Sequence, residues 1–329
     1  MIATLSLPII APQHLVPSPF RLRAHSTPRL PRVERVLRKS PLLHAGPWPD
    51  CPDVLALNLA QGCAHRCAFC SVRAYPSYRG DGAIYLLEDA PAQLAAELAA
   101  QRRRPQAVYL SPSTDPFMPL AEVQTETARI VEVLARHGVE AWLMTRGYIR
   151  PAALEVLAKH RRHVKVTVGV TTVDRSLQRA LEPLAAPPRL RLRQLAQLHE
   201  LGIPVGVQLA PLVPGVTDQR ANLTALLEAL AGVGVRHVSA GYMFLRSGIR
   251  DNLAPVLKSH GWEEAVFSEF TGGPVLSAGG LMAARYLPRV RRQRGYAALM
   301  TLAASRGISV SVCGLTNPDF GPGLAKRLR

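Results

Sequence analysis

The sequence predicts an α/β fold built on a parallel sheet, and three observations carry that reading. From Val54 to Tyr242, short β-rich runs alternate with longer stretches of helical periodicity, the order that βαβ units produce. The strand runs are nearly continuous apolar segments, as expected where helices cover one face of a parallel sheet and a filled interior the other. Of the 329 residues, 48% are hydrophobic, enough to bury a substantial core in one large barrel with appendages or in two domains.

Taken in order, residues 1–50 hold nine of the 28 prolines and no sustained apolar periodicity. They read as an extended arm with one short helix near Val33 to Arg38. Strands are expected at Val54–Ala60, Ala107–Ser111, Val139–Thr145, Val164–Val170, Val205–Ala210 and Val235–Tyr242, each a short run of largely apolar residues. Between them, Ala92–Arg103, Val123–His137, Ala152–His160, Leu190–Leu201 and Asn222–Ala231 space their apolar residues at helical intervals. After Phe244 the pattern becomes irregular. Helices are expected at Leu253–His260, Leu281–Arg292 and Tyr296–Arg306, and a last strand at Ile308–Cys313. The division expected is an arm (1–50), a core (51–245) and a C-terminal cap or substrate region (246–329).

The formal charge is +17, unevenly placed: residues 1–50 carry a net +5, residues 281–329 a net +8, and the centre only +4. Basic ends suit a phosphate-bearing partner such as nucleic acid. The alternative reading is compositional, since 35 of the 40 basic residues are Arg, as a GC-rich genome would produce. No apolar run reaches the roughly 18 to 20 residues that span a bilayer, so no membrane association is expected. The apolar N-terminus is broken by Pro8, Pro12, Pro17 and Pro19 with no preceding basic residue, which argues against a signal peptide. Five cysteines are too few, and odd in number, for a disulfide scaffold. A reducing cytoplasm is the expected setting.

The cysteines are informative in another way. Cys63, Cys67 and Cys70 form C-x3-C-x2-C. Three closely spaced thiolates suit a [4Fe-4S] cluster, which normally takes four and would keep one iron open to a small chelating ligand. The alternative is a structural zinc site completed by Cys51 or His65, in a nucleic-acid-binding protein without catalysis. Structural zinc more often pairs its thiolates as two short C-x2-C units.

In parallel α/β folds ligands sit beyond the C-terminal strand ends, and there the chain is rich in polar groups. The cysteine loop follows the first expected strand. Ser113 and Asp115 follow the second, Arg146 the third, Thr171 the fourth, and the turn through Pro214 and Gly215 the fifth. An acid, a cation, hydroxyls and an apolar wall would together hold a ligand with ammonium, carboxylate, ribose and adenine groups. Each residue taken alone has an ordinary reading as a cap or turn, Asp115 and Asp174 as helix caps and Gly215 as a bend.

The cysteine spacing, with the aromatic Phe69 just before the third cysteine, resembles the radical S-adenosylmethionine (SAM) enzymes. Ser113-Thr114-Asp115-Pro116-Phe117, Thr171-Thr172, Leu181-Glu182-Pro183 and Ala210 to Gly215 look like the branch grouped with spore photoproduct lyase, a light-independent DNA repair enzyme. The likeness spans about residues 54–245. It implies a partial (β/α)6 barrel, which periodicity alone does not separate from a doubly wound sheet. It also implies a [4Fe-4S] cluster on Cys63, Cys67 and Cys70, and SAM on the open iron.

In that family an electron from the reduced cluster splits SAM into methionine and a 5'-deoxyadenosyl radical, which takes a hydrogen atom from the substrate. By the same likeness Phe69, Ser113, Asp115, Thr171, Pro214 and Gly215 belong to the cofactor site, and Arg146 stands where the lyase has a lysine on the SAM carboxylate. Arg for Lys keeps the charge and alters its geometry. A flavodoxin- or ferredoxin-type electron donor is the implied partner. One departure concerns the thiol from which the lyase returns hydrogen to its product radical, in the loop after the second strand. This chain has Ser111 and Ser113 there, and between Cys70 and Cys313 no cysteine at all. Cys313 is the remaining candidate hydrogen donor, although a free Cys also packs as a small hydrophobe.

Overall fold

A computed structural model of the chain describes residues 29–48, 51–75, 78–277 and 283–320. Most of the prolines of the expected arm lie outside these residues. The part described is drawn into the fold. Strand β1 (Arg32–Val36) pairs in parallel with β5 (Ala83–Leu87), which also takes β4 (Ala60–Gln61) antiparallel. The short helix expected at Val33–Arg38 is therefore a strand. Its Val33 and Val36 pack on the core, and the deciding partner, β5, is a segment whose strand character the alternation of the core does not reveal.

The main sheet runs in the order β13-β10-β9-β8-β7-β6-β3-β2. Strands β3 (Val54–Leu57), β6 (Ala107–Leu110), β7 (Glu140–Thr145), β8 (Val164–Gly169), β9 (Val205–Leu212) and β10 (His237–Tyr242) are the six expected ones. Neighbours along this series pair in parallel. Strand β13 (Ser309–Val312) adds in parallel beyond β10, and β2 (His44–Ala45) adds antiparallel at the β3 edge. Sequential order with parallel pairing requires a crossover between strands, and helices α1 (Ala90–Ala100), α2 (Ala121–Arg136), α3 (Pro151–Lys159), α5 (Pro188–Glu200) and α6 (Arg220–Gly232) supply it. Helix α4 (Arg175–Leu181), not expected from periodicity, is held at its start by Asp174, whose carboxylate accepts from the amides of Ser176 and Leu177.

Successive strand residues face opposite sides, and the two sides differ in character. Val108, Leu110, Ala141, Leu143, Val164, Val166 and Val168 are all buried on one. Register sets Tyr109, Trp142 and Lys165 side by side on the other, where the Tyr109 hydroxyl donates to Met144 Sδ at 3.4 Å. Arg146 and Gln208 continue this inner, more polar face. Gln208 pairs with Ser239 and Ser239 with Ser311, so Cys313 falls on the same side.

The cap comprises α7 (Ser247–Ser259), α8 (Glu263–Ser268), the short ribbon β11 (Val275–Leu276) with β12 (Ala284–Arg285), and α9 (Arg289–Ala304). The two helices expected at Leu281–Arg292 and Tyr296–Arg306 are one, beginning only after Pro288. Proline tolerates a helix start and not its interior. Gly295 does not break α9, because its missing Cβ makes room for Tyr242, whose hydroxyl oxygen would lie 2.0 Å from that atom.

Candidate active site

The cysteine loop follows β3 and the short β4 beyond the C-terminal end of β3 and is bent by two left-handed residues, Gly62 (φ 88°) and Arg66 (φ 53°). Neighbouring segments then fix it. Ala68 N–H donates to the Leu181 carbonyl at 2.8 Å, Leu184 N–H to the His65 carbonyl at 3.2 Å, and Cys70 N–H to the Cys67 carbonyl at 3.1 Å. The stretch 181–184 thus grips the loop from the side of β8.

Cys67 is buried and Cys63 and Cys70 partly so, yet all three sulfur atoms lie deep. Burial pushes each thiol up, and mutual charge adds to it: Cys63 feels Asp115, Cys67 and Cys70, while Cys67 feels Glu182 and Cys70, partly offset by Arg146 and Arg191. A bound cation reverses this penalty, since metal binding deprotonates thiols. Among the described residues, no group of three or more His, Cys, Asp or Glu converges tightly enough to hold a single metal ion. A [4Fe-4S] cluster takes Cys thiolates on its irons, and the three cysteines of this loop would supply three of them. The two fourth zinc ligands considered are placed otherwise. Cys51 lies before the N-terminal end of β3, opposite the loop, and His65 turns to other partners.

Those partners are Asp115 and Leu184. His65 Nε2 lies 3.0 Å from Asp115 Oδ2, and Nδ1 lies 3.2 Å from the Leu184 carbonyl. Asp115 also accepts from Phe117 N–H (2.8 Å), the Thr145 hydroxyl (2.7 Å) and Arg146 N–H (2.7 Å). Burial alone would raise its pKa; the His65 charge and these hydrogen bonds overcome that and hold it below the usual carboxylate value. Asp115 does not cap a helix. Its oxygens tie the cysteine loop to the ends of β6 and β7.

Arg146 crosses the inner face toward the cysteines, its guanidinium 5.2 Å from the Phe69 ring centroid. Nη1 donates to Glu182 Oε1 at 2.6 Å and Nη2 to the Ala210 carbonyl. Glu182 is itself clasped by Arg191, whose remaining donors go to the carbonyls of Ala186 (2.8 Å) and Gly169 (2.7 Å). Both Glu182 and Arg191 are only 1% exposed. Burial opposes the Glu182 charge, but Arg191 and Arg146 outweigh it and keep its pKa low.

The structure therefore brings Cys63, Cys67, Cys70, Phe69, Asp115 and Arg146 together. The others sit on the same rim, in separate local arrangements. Ser113 N–H donates to Asn58 Oδ1 at 2.9 Å. Thr171 is buried, its carbonyl taken by Asn222. Strand β9 runs on through Pro211 and Leu212, two residues further than expected. Pro214 is buried, and exposed Gly215 turns with φ 71° toward Asp218. Asp218 in turn binds Tyr242 and Arg291, joining this turn to the cap. Cys313 is 7% exposed and its N–H donates to the Ala240 carbonyl. The Tyr109 hydroxyl, pushed up to about 12 by burial, feels both Cys313 and Asp115.

Of the buried charged groups at the site, the sequence reading weighed His65 only as a zinc ligand and Glu182 only as part of a motif, and it did not single out Arg191. Arg191 left a signal. It falls on the buried stripe of α5 with Pro188, Leu195 and Leu198, a place where an unpaired cation is costly.

The family model described as the radical SAM superfamily matches residues 57–227. An uncharacterized protein of Acidianus two-tailed virus, ORF301, is 27% identical over 59% of this chain and 69% of its own length. A protein of Pseudomonas phage M6 named radical SAM Nalpha-GlyT isomerase is 29% identical over 55% of this chain and 38% of its own length. The chain thus spans about two thirds of the first relative and well under half of the second. In fold it resembles a spore photoproduct lyase variant with bound AdoMet and dinucleoside spore photoproduct (TM-score 0.65, 11% identity, 88% of this chain and 87% of that one). Among the described residues, no helix is long and apolar enough to cross a membrane.

Proposed function

The chain belongs to the radical SAM superfamily, and from that premise we propose that it is an enzyme that cleaves SAM reductively and abstracts hydrogen from a nucleic-acid substrate, beginning with damaged DNA. The observation that carries the chemistry is the grouping of three deep thiols with one guanidinium: Cys63, Cys67 and Cys70 lie beside Arg146 at the C-terminal rim of the sheet. When bound there, a [4Fe-4S] cluster and SAM supply the difficult step, one electron splitting SAM into methionine and a 5'-deoxyadenosyl radical.

The chain's own residues position and shield. Cys63, Cys67 and Cys70 would hold the cluster, and the Arg146 fork, steadied by Glu182 and the Ala210 carbonyl, would meet the SAM carboxylate. Phe69 and the Pro214–Gly215 turn would provide apolar wall, and Ser113 and Thr171 hydroxyls. Cys313 is the thiol proposed to return hydrogen to the product. The substrate reading draws on the basic ends of the chain and on a fold shared with a lyase whose solved structure holds a dinucleoside photoproduct. A cytoplasmic setting and an acidic one-electron donor protein complete the proposal.

The test is anaerobic reconstitution followed by dithionite and SAM, with chromatography for 5'-deoxyadenosine. Its formation by the wild type and its loss in Cys67→Ala are expected. Absence of stoichiometric iron and sulfide would remove the reading. Absence of salt-sensitive binding to irradiated DNA would remove only the substrate.

A further inference from the structure

Glu182 is a buried carboxylate between the buried guanidinium of Arg191 and the partly exposed one of Arg146, and the three do not have equal access to a ligand. Arg191 spends its donors on Glu182 and on the carbonyls of Ala186 and Gly169, so it is fixed by protein on all sides and serves only the triad. Arg146 carries the triad outward to Phe69 and toward Cys67 and Cys70. The result is a set of three charges, net positive by one, in a water-poor region where Coulomb interactions are weakly screened. The Cys67 sulfur senses all three of them.

We propose that Glu182 is a positioning residue that sets the reduction potential of the cluster held by Cys63, Cys67 and Cys70. Net charge near a cluster is one of the levers on its potential. A carboxylate offsetting one of two cations makes the added electron less welcome and the reduced cluster a stronger donor. The same carboxylate fixes the direction of the Arg146 fork. This inference rests on the reading of the chain as a radical SAM enzyme; the iron and sulfide content of the wild type tests that reading separately.

The experiment is a redox titration of reconstituted holoprotein followed by electron paramagnetic resonance. E182Q leaves two cations uncompensated and is expected to raise the midpoint by about tenfold in the reduction equilibrium, or 59 mV for a one-electron couple. E182Q/R191Q restores the wild-type net charge and is expected to return toward the wild-type midpoint. A residue that served structure alone would leave the double variant at least as displaced as the single one. A midpoint unchanged in E182Q, or a double variant as displaced as E182Q, overturns the proposal. If E182Q does not retain its cluster, the comparison moves to R191Q against E182Q/R191Q, which differ only in the charge of residue 182. R191Q is expected to titrate lower, and equal midpoints overturn the proposal.

Discussion

The Asp115 carboxylate lies 3.0 Å from the His65 ring, so a residue from the loop after β6 holds the middle of the cysteine loop that follows β3. Together with its bonds to Thr145 and the Arg146 amide, this makes one buried carboxylate the junction of three strand ends. Asp115→Ala removes the acceptor for all of these groups at once. Leaving a buried donor without its acceptor costs about 1–3 kcal/mol per group, and a loss of about 3 kcal/mol is expected in urea unfolding of the cluster-free protein. A loss below about 1 kcal/mol would show the junction to be dispensable.

Gly147 follows Arg146, and a Cβ on it would stand 1.9 Å from the Phe117 carbonyl oxygen. The obstacle is backbone, so neither side can yield cheaply. Gly147→Ala is expected to push the 115–118 turn away from β7, lowering the melting temperature and the iron bound on reconstitution. A variant matching wild type in both measurements contradicts the close approach of these two loops.

Acid should unfold the cluster-free protein through its buried carboxylates. Asp115 and Glu182 both have pKa values held below their ordinary ones, so the unfolded chain binds more protons than the folded one in this range and stability rises with pH. Their contribution is complete above the unfolded carboxylate values of about 4 and is lost as pH falls through the lower folded values. Circular dichroism between pH 6 and pH 2 is expected to show a shallower acid limb for Asp115→Asn than for wild type. Parallel limbs would assign acid unfolding to other groups.

In the cluster-free protein, burial pushes the Cys67 thiol well above the ordinary thiol range, and the thiolate is the reactive form. Iodoacetamide labelling of Cys67, read by mass spectrometry, is therefore expected to keep climbing through pH 10. A plateau below pH 9 would mean that Arg146 and Arg191 outweigh burial at this sulfur.

Much of the architecture was legible because its signals are local. The six core strands and the helices between them appear where alternation puts them, within a few residues at each end. Cys63, Cys67 and Cys70 announced themselves by spacing, and the strand-end rule pointed to Asp115 and Arg146. The strand at Arg32–Val36 is not legible locally, because its partner, Ala83–Leu87, lies some fifty residues away and offers no local cue. The extent of helix α9 departs from the expectation at Pro288, where it starts, and at Gly295, where the room left by the missing Cβ is taken by a tyrosine from β10.

The sequence by itself determined the class of fold, the cysteine triad and the family, since each depends on residue types at fixed intervals along the chain. Only the tertiary structure decided what the charged residues at the rim do. Asp115, by type and place a candidate ligand group, is turned into the protein by four partners from three loops. Glu182 and Arg191 lie nine residues apart and become a single ionic unit with Arg146 only when β7, β8 and β9 align their ends. The physical reason is that the role of a buried charge is set by the distance and orientation of its partners in a medium that screens them poorly, and chain order does not encode those distances.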